Sequence, residues 1–239
     1  MSIRGLGTII NVIAIIIGGG VGIAVGRRFA EALRALLMDA LGLITMVSAV
    51  SSAARIADPR LAAALPNGGP MMIVLAAMLI GGVLGYALRI EQRLESIGEW
   101  LRRRVAGDSR FVEGFVMASL IFVIGPLAIL GAISDGLGTG IDQLLLKSGL
   151  DAIASVAFAS ALGPGVIAAA IPVGIYQGLW TVVGAFLGSI MNPAEIAAMT
   201  ATGGLLLAGI SLRLLDMKHI RVAAFLPALF VAPLLVALF

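Results

Sequence analysis

The chain contains no cysteine and a single histidine, His219. Without thiols there is no disulfide, no thiolate metal site and no Cys nucleophile, and one imidazole cannot build a His-rich metal centre. Charge is scarce as well: 16 Lys and Arg with 13 Asp and Glu make 12% of 239 residues, about half the roughly 25% of a soluble domain. That deficit excludes the soluble globular class. Aromatic residues are 5%, so Tyr86, Trp100 and Trp180 are too few to define interfacial belts. The net charge of +3 implies no nucleic-acid partner, because no basic stripe with interleaved aromatics exists outside one loop.

What replaces charge is apolar length. Hydrophobic residues are 60%, and uncharged windows cover 5–26, 40–54, 61–88, 114–134, 152–194, 196–212 and 222–239. A hydrocarbon core of about 30 Å takes about 20 helical residues per crossing. The expected fold is therefore all-α, a polytopic transmembrane bundle in which 1–239 is one integral membrane domain. The first window is Gly-studded, too long for a signal-peptide core and followed by Arg27 and Arg28, so it reads as a retained span.

The window 152–194 is too long for one crossing and must fold back. Gly163, Pro164 and Gly165 mark the break, since proline removes a donor and glycine tolerates turn conformations. Asn192 and Pro193 open the following helix. Eight spans result, near 6–26, 36–55, 70–89, 113–133, 142–162, 166–190, 195–213 and 221–238. With the N-terminus outside, twelve of the sixteen basic residues fall on the cytoplasmic side, as retention of Lys and Arg there requires. Only Arg4, Arg55, Arg60 and Lys147 fall outside.

Between the third and fourth spans, Leu94, Ile97, Trp100, Leu101 and Val105 recur at helical spacing among charges. Residues 89–110 read as a cytoplasmic interfacial amphipathic helix whose Arg102, Arg103 and Arg104 meet anionic lipid heads. A solvated loop with ordinary positive-inside bias explains the same residues.

Glycine, 31 of 239 residues, stands well above its usual share of about 7%. In lipid it lets helix backbones approach closely. Laying Ile17–Ala24 on Ile80–Ala87 gives five identities in eight positions, and Gly203-Gly204 is a fainter echo. The three segments would cross in the same direction, as parallel internal repeats, although chance similarity is easy in such a composition. A Gly-rich stretch inside a lipid span is no phosphate loop.

Ionisable groups inside a bilayer are costly and mark function by default. Here they gather at Asp135, Asp142, Lys147 and Asp151, followed by Ser155, Ser160, Tyr176, Gln177 and Thr181. Lys147, Asp151 and Ser155 are spaced by four and share a helix face, where lysine and aspartate neutralise one another. Two readings stand: a pair at the water interface, or the lining of a polar pathway. Gln177, five residues after Pro172, suits a ligand of a cation or polar solute, or the carbonyl freed by a kink. Asn11 reads as packing glue across helices and, with Asp135, completes the candidate pathway set. Asp39 and Glu113 read as carboxylates complementing helix starts, and His219 as solvated.

Several strings carry a resemblance: GTIINVIAIIIGGGVG from Gly7, VIGPLAILGAISDGL from Val123, LLLKSGLDAIASVAFASALGPGV from Leu144, IYQG from Ile175 and IRVAAFLPAL from Ile220. Together they resemble, in matching order along the whole chain, the YqgA/YdfK-type family of bacterial inner-membrane proteins of unknown function. The resemblance implies a multi-pass plasma-membrane protein, of a kind labelled transporter without an established substrate, and brings no catalytic set. The family's polar positions appear as Asn11, Asp135, Lys147, Ser148, Asp151 and Gln177. One departure is Ala224, where the family commonly carries Asn.

The leading expectation is a small secondary transporter or channel for a small solute or ion, its polar pathway lined by the broken fifth and sixth spans. Asp151 binds or relays a cation or proton, Lys147 holds its charge in check, and Ser155 and Gln177 orient the solute. The competing expectation is a non-transporting assembly, a homo-oligomer packed through Gly faces or a lipid-interacting protein. No enzyme and no cofactor are expected.

Overall fold

In hydrocarbon, every backbone N–H and C=O must be satisfied within its own segment, and helix is how a single chain does this. The computed structural model describes residues 4–26, 31–65, 68–105, 110–124, 126–138, 140–187 and 191–238, and among them every regular element is helical. In chain order these are α1 (Leu6–Gly26), α2 (Glu31–Ala53), α3 (Pro59–Ala64), α4 (Gly69–Ala87), α5 (Ile90–Val105), α6 (Phe111–Val123), α7 (Pro126–Leu137), α8 (Asp142–Leu162), α9 (Gly165–Ala168), α10 (Ala170–Leu187), α11 (Pro193–Leu214) and α12 (Ala228–Val236). Single 3-10 turns, Ala54–Ala57 and Val222–Phe225, precede α3 and α12.

Among the described residues, six segments are long and apolar enough to cross a membrane: Leu6–Gly26, Ala35–Ala64, Gly69–Ala87, Asp142–Leu162, Gly165–Phe186 and Pro193–Leu214. The expected fourth span is instead a pair, Phe111–Val123 and Leu127–Leu137, bent by 62°. Pro126, which lacks a backbone N–H donor, opens the second helix of the pair. The pair counts as a seventh crossing if taken as one span. The expected eighth is short, Val222–Val236, with Pro233 inside its helix.

The fold-back inside 152–194 falls where the Gly-Pro-Gly string lies. Gly163 adopts φ +79° and ψ −157°, a region open essentially to glycine alone. At the other end of that stretch, Asn192 and Glu195 form a reciprocal capping box at the start of α11, with Pro193 in its first turn. Asp39 is not at a helix start, because α2 already begins at Glu31; Glu113 does lie in the first turn of α6.

The chain clusters into two units, Met1–Met38 with Glu95–Ile190, and Asp39–Leu94 with Met191–Phe239. In the first, α1 lies against α8 through glycine. A Cβ at Gly18, Gly22 or Gly26 would strike the backbone carbonyl of Ala152, Val156 or Ser160. Numbers rise together on both helices, so the two run parallel. Against α1, α10 runs antiparallel, with Thr8 meeting Thr181, Asn11 meeting Gln177 and Val12 touching Gly174. Along α8, α6 is also antiparallel: Gly114 faces Leu162 and Phe122 meets Phe158 edge-on at 6.4 Å. Phe111, Phe115, Met117, Leu120, Ile129 and Leu144 fill the apolar part of this core.

In the second unit, Gly81 and Gly85 of α4 meet the backbones of Ala228 and Ala224, so α4 and the C-terminal segment are antiparallel. Gly204 of α11 meets Ala49 and Ala53 of α2, while the Ser211 hydroxyl donates to the Gly42 carbonyl at 2.6 Å. Leu61, Leu65, Ile73 and Ala77 pack with Ala197, Ala198, Ala232 and Val236. The similar glycine strings of α1 and α4 thus both bring backbones together, but against partners of opposite direction.

Outside these contacts the helices are covered with exposed aliphatic side chains, such as Val83 (69%), Ile153 (72%) and Phe186 (83%). In water such continuous patches drive aggregation; facing lipid they are the ordinary outer surface of transmembrane helices. Because lipid removes the hydrophobic driving force between helices, close van der Waals packing at small residues must hold them. Gly22→Val should therefore lower stability in detergent by about 1–3 kcal/mol. Gly20→Val should stay near wild type, since nothing lies within 4 Å of a Cβ there. Thermal unfolding monitored by size exclusion separates the two, and equal effects would contradict the packing.

Candidate functional site

Three helices each turn one polar stripe toward the first unit's interior. On α1, Gly7, Thr8, Asn11, Ile15 and Gly18 are buried, a spacing of one, three or four that keeps them on one face. On α8 the buried stripe is Leu144, Lys147, Ser148, Asp151 and Ser155. On α10 it includes Val173, Gln177 and Thr181. The parallel glycine contact sets Asn11 opposite Asp151, and the antiparallel α10 brings Gln177 to the same level.

Asn11 is the hub. Its amide nitrogen donates to Asp151 Oδ2 at 3.0 Å and to Gln177 Oε1 at 3.2 Å. On the other side of Asp151, Lys147 Nζ donates to the same Oδ2 at 2.5 Å. The ammonium also lies 6.0 Å from the centroid of the Phe122 ring on α6, within reach of a cation–π attraction. One level further toward the start of α1, the Thr181 hydroxyl donates to the Gln177 carbonyl at 3.0 Å. That leaves Thr8 to donate to Thr181 across 3.2 Å.

Hydrogen-bond accounting leaves a remainder. Among the described residues Asn11 Oδ1, Gln177 Nε2 and Ser155 Oγ are buried without a partner, as is Glu91 Oε2 in the other unit. A buried polar atom left unpaired costs about 1–3 kcal/mol, more where no water reaches. An acceptor, an amide donor and a hydroxyl therefore stand unused within or one turn beyond a network that already holds a buried ion pair.

Of the six pathway candidates, four are bonded to one another: Asn11, Lys147, Asp151 and Gln177. Ser155 sits one turn further along α8, beneath Gly18 of α1. Asp135 does not join them. Its Oδ1 and Oδ2 accept from the backbone N–H groups of Gly5 and Gly7 at 3.0 Å each. It therefore closes the N-terminal end of α1 from α7, satisfying amides that no intrahelical carbonyl can reach and complementing the positive helix end. Nor does Gln177 serve a kink at Pro172, because Pro172 lies in the first turn of α10 and the side chain is turned to Asn11. Ser148, on the buried stripe, donates to the Leu144 carbonyl of its own helix.

The basic end of α5 is partly committed within the helix. Arg102 pairs with Glu99 at 2.8 Å, the Arg104 guanidinium lies 4.8 Å over Trp100, and Arg103 is exposed. At the other end of α5, buried Glu91 pairs with Arg213 of α11 at 3.4 Å, a contact that spacing could not reveal. His219 is exposed, as expected. Thr8 was legible in principle, lying three residues before Asn11 on the same face; Phe122 carried no signal, being one apolar residue among many. Among the described residues no group of three or more His, Cys, Asp or Glu could hold a metal.

The model of a family described as "Protein of unknown function (DUF554)" matches residues 6–237. The chain belongs to this family. It is 27% identical over 230 residues to the uncharacterized membrane protein YdfK of Bacillus subtilis (strain 168), covering 96% of this chain and 95% of that protein. It is also 27% identical over 234 residues to the uncharacterized protein YqgA of Escherichia coli (strain K12), covering 95% and 94%. No solved structure matches. The match at nearly full length and the apolar helices make this a membrane protein with transmembrane helices, of a family whose function is unknown.

Asp135 generates a prediction distinct from the cluster. Asp135→Ala should strand the Gly5 and Gly7 amides and cost about 1–3 kcal/mol, whereas Asp135→Asn, which keeps one carbonyl acceptor, should cost less. Thermal stability of the two variants in detergent measures this; no loss in either would mean that the cap does not hold α1.

Proposed function

We propose that this chain is a multi-pass inner-membrane secondary transporter or channel for a small solute or ion. Its polar pathway runs beside α8 and the broken α9–α10 segment. The observation that carries this reading is the remainder of unpaired atoms: Asn11 Oδ1, Gln177 Nε2 and Ser155 Oγ are buried beside the Lys147–Asp151 pair within apolar segments. Structure alone has no use for them, and intramembrane polar groups of this kind ordinarily mark a substrate or ion route. The ion pair leaves the cluster electrically neutral, so the solute it suits is small, polar and able both to donate and to accept.

In this reading Asp151 binds or relays the cation or proton, Lys147 balances its charge, and Asn11 and Gln177 orient the solute. The chain crosses eight times with its N-terminus outside, α6–α7 serving as one crossing and 222–236 as the last. Relative directions support this count: α1 and α8 are parallel, as the first and fifth crossings of an alternating chain must be. Likewise α10 opposes α1, α11 opposes α2, and α4 opposes the C-terminal segment.

Two measurements follow. Lys147→Met or Asp151→Leu alone should lower stability by about 3–5 kcal/mol, because each strands a buried charge. The double variant should recover most of that loss, yet show no flux in proteoliposomes assayed with pH- and ion-sensitive dyes and labelled small solutes. Wild-type flux in the double variant would reduce the pair to a structural role. Topology is separately testable because the chain has no cysteine: a cysteine at Arg103 or Lys218 should react with impermeant maleimide only from the cytoplasmic side, and one at Arg60 only from outside. The reverse pattern would invert the orientation.

A further inference from the structure

The second unit carries a feature unrelated to the polar cluster. A cavity of about 430 Å³ lies open along one side of α4, lined by Met78, Leu79, Gly82, Val83 and Tyr86. Its opposite wall is the Val222–Phe225 turn, with the Phe225 ring lying over Gly82 and the Ala224 backbone against Gly85. Because α4 and this segment are antiparallel, Arg221 borders the same end of the groove as Tyr86, and Met78 lies at the far end. From Met78 to Tyr86 the groove follows about 12 Å of helix.

The groove has two chemical zones. Its wall is almost wholly apolar, and Leu79, Val83 and Tyr86 face outward, toward lipid in a membrane-spanning helix. Just beyond that wall is a basic group: Arg221 lends its apolar stem to the lining and is exposed, and neither a carboxylate nor a ring engages its guanidinium among the described residues. Exposed Lys218 and Arg89 flank the groove's end in sequence; of the nearby acids, Asp216 is exposed and Glu91 is buried against Arg213. The Tyr86 hydroxyl adds a neutral donor at the same end. An occupant must match an extended hydrocarbon and a negatively charged head at once.

We infer that this groove holds one acyl chain of an anionic phospholipid, with its phosphate on Arg221 and Tyr86. A free phosphate would leave the apolar wall unused, and a zwitterionic lipid would bring its own ammonium, along with its phosphate, against the basic side chains Arg221, Lys218 and Arg89. A purely electrostatic lipid contact needs no groove. Gly82 lets the Phe225 ring lie against α4 as one wall of the groove, and Arg221 selects the head group at the level of the lipid phosphates. This inference does not depend on transport or on which side of the membrane that end faces.

Native mass spectrometry of the full chain, exchanged into nanodiscs of equal phosphatidylglycerol and phosphatidylcholine, tests it. The wild type should retain phosphatidylglycerol preferentially. Arg221→Gln should cut that retention about fivefold, the effect of losing one basic contact near an anionic surface, while phosphatidylcholine retention stays unchanged. Val83→Trp, a change at an exposed lining position, should fill the groove and lower retention of both lipids. Arg60→Gln, at an exposed basic residue outside the groove, should alter neither. An unchanged lipid ratio in Arg221→Gln would overturn the head-group assignment. Unchanged retention in Val83→Trp would overturn the groove, and equal losses in Arg60→Gln would show only diffuse charge.

Discussion

The backbone contact between α1 and α8 is what the rest of the first unit depends on. In lipid, two helices gain nothing from hiding apolar surface, so they associate only where their surfaces fit closely. Glycines at 18, 22 and 26 repeat every four residues on α1, and they meet Ala152, Val156 and Ser160 at the same period on α8. That match fixes the rotation and the register of both helices together. Given that register, Asn11 has no freedom of position: it comes to lie against Asp151, and Asp135 is left to close the helix end.

The polar cluster is expensive, which is why its economy is informative. Lys147 and Asp151 can be buried together only because each neutralises the other. Asn11 lowers the cost further by donating to the same carboxylate oxygen and to Gln177. A purely structural network would close on itself, with every member satisfied. This one leaves an acceptor, an amide and a hydroxyl open, in helices whose other faces are aliphatic. The contrast with Asp135 is direct, since both of its oxygens are used and it has no role left to explain.

Proline and glycine play different parts in the two units. Before Pro126, what hydropathy reads as one crossing becomes two helices bent by 62°. Gly163 lets the chain reverse between two crossings, using a conformation closed to other residues. In the second unit, glycines on α4 and α11 draw neighbouring backbones together, and Gly82 lets the Phe225 ring lie against its helix. The same residue type therefore makes a turn, a backbone contact or a seat for a ring, according to what lies opposite.

Composition and spacing alone determined the membrane class, the all-helical fold, the fold-back at Gly163–Gly165, the helix start at Asn192-Pro193 and the shared face of Lys147, Asp151 and Ser155. These follow from local rules: the length of an apolar run, the backbone limits of proline and glycine, and the 3.6-residue period. Spacing could not decide whether Lys147 and Asp151 meet water or one another, nor that Asn11 joins them while Asp135 does not. It also could not show that Glu91 finds Arg213, or that Gly82 seats the Phe225 ring. Those outcomes depend on which helix lies opposite and in what register. That is settled by the fit of small residues across distant parts of the chain, a relation that no local window contains.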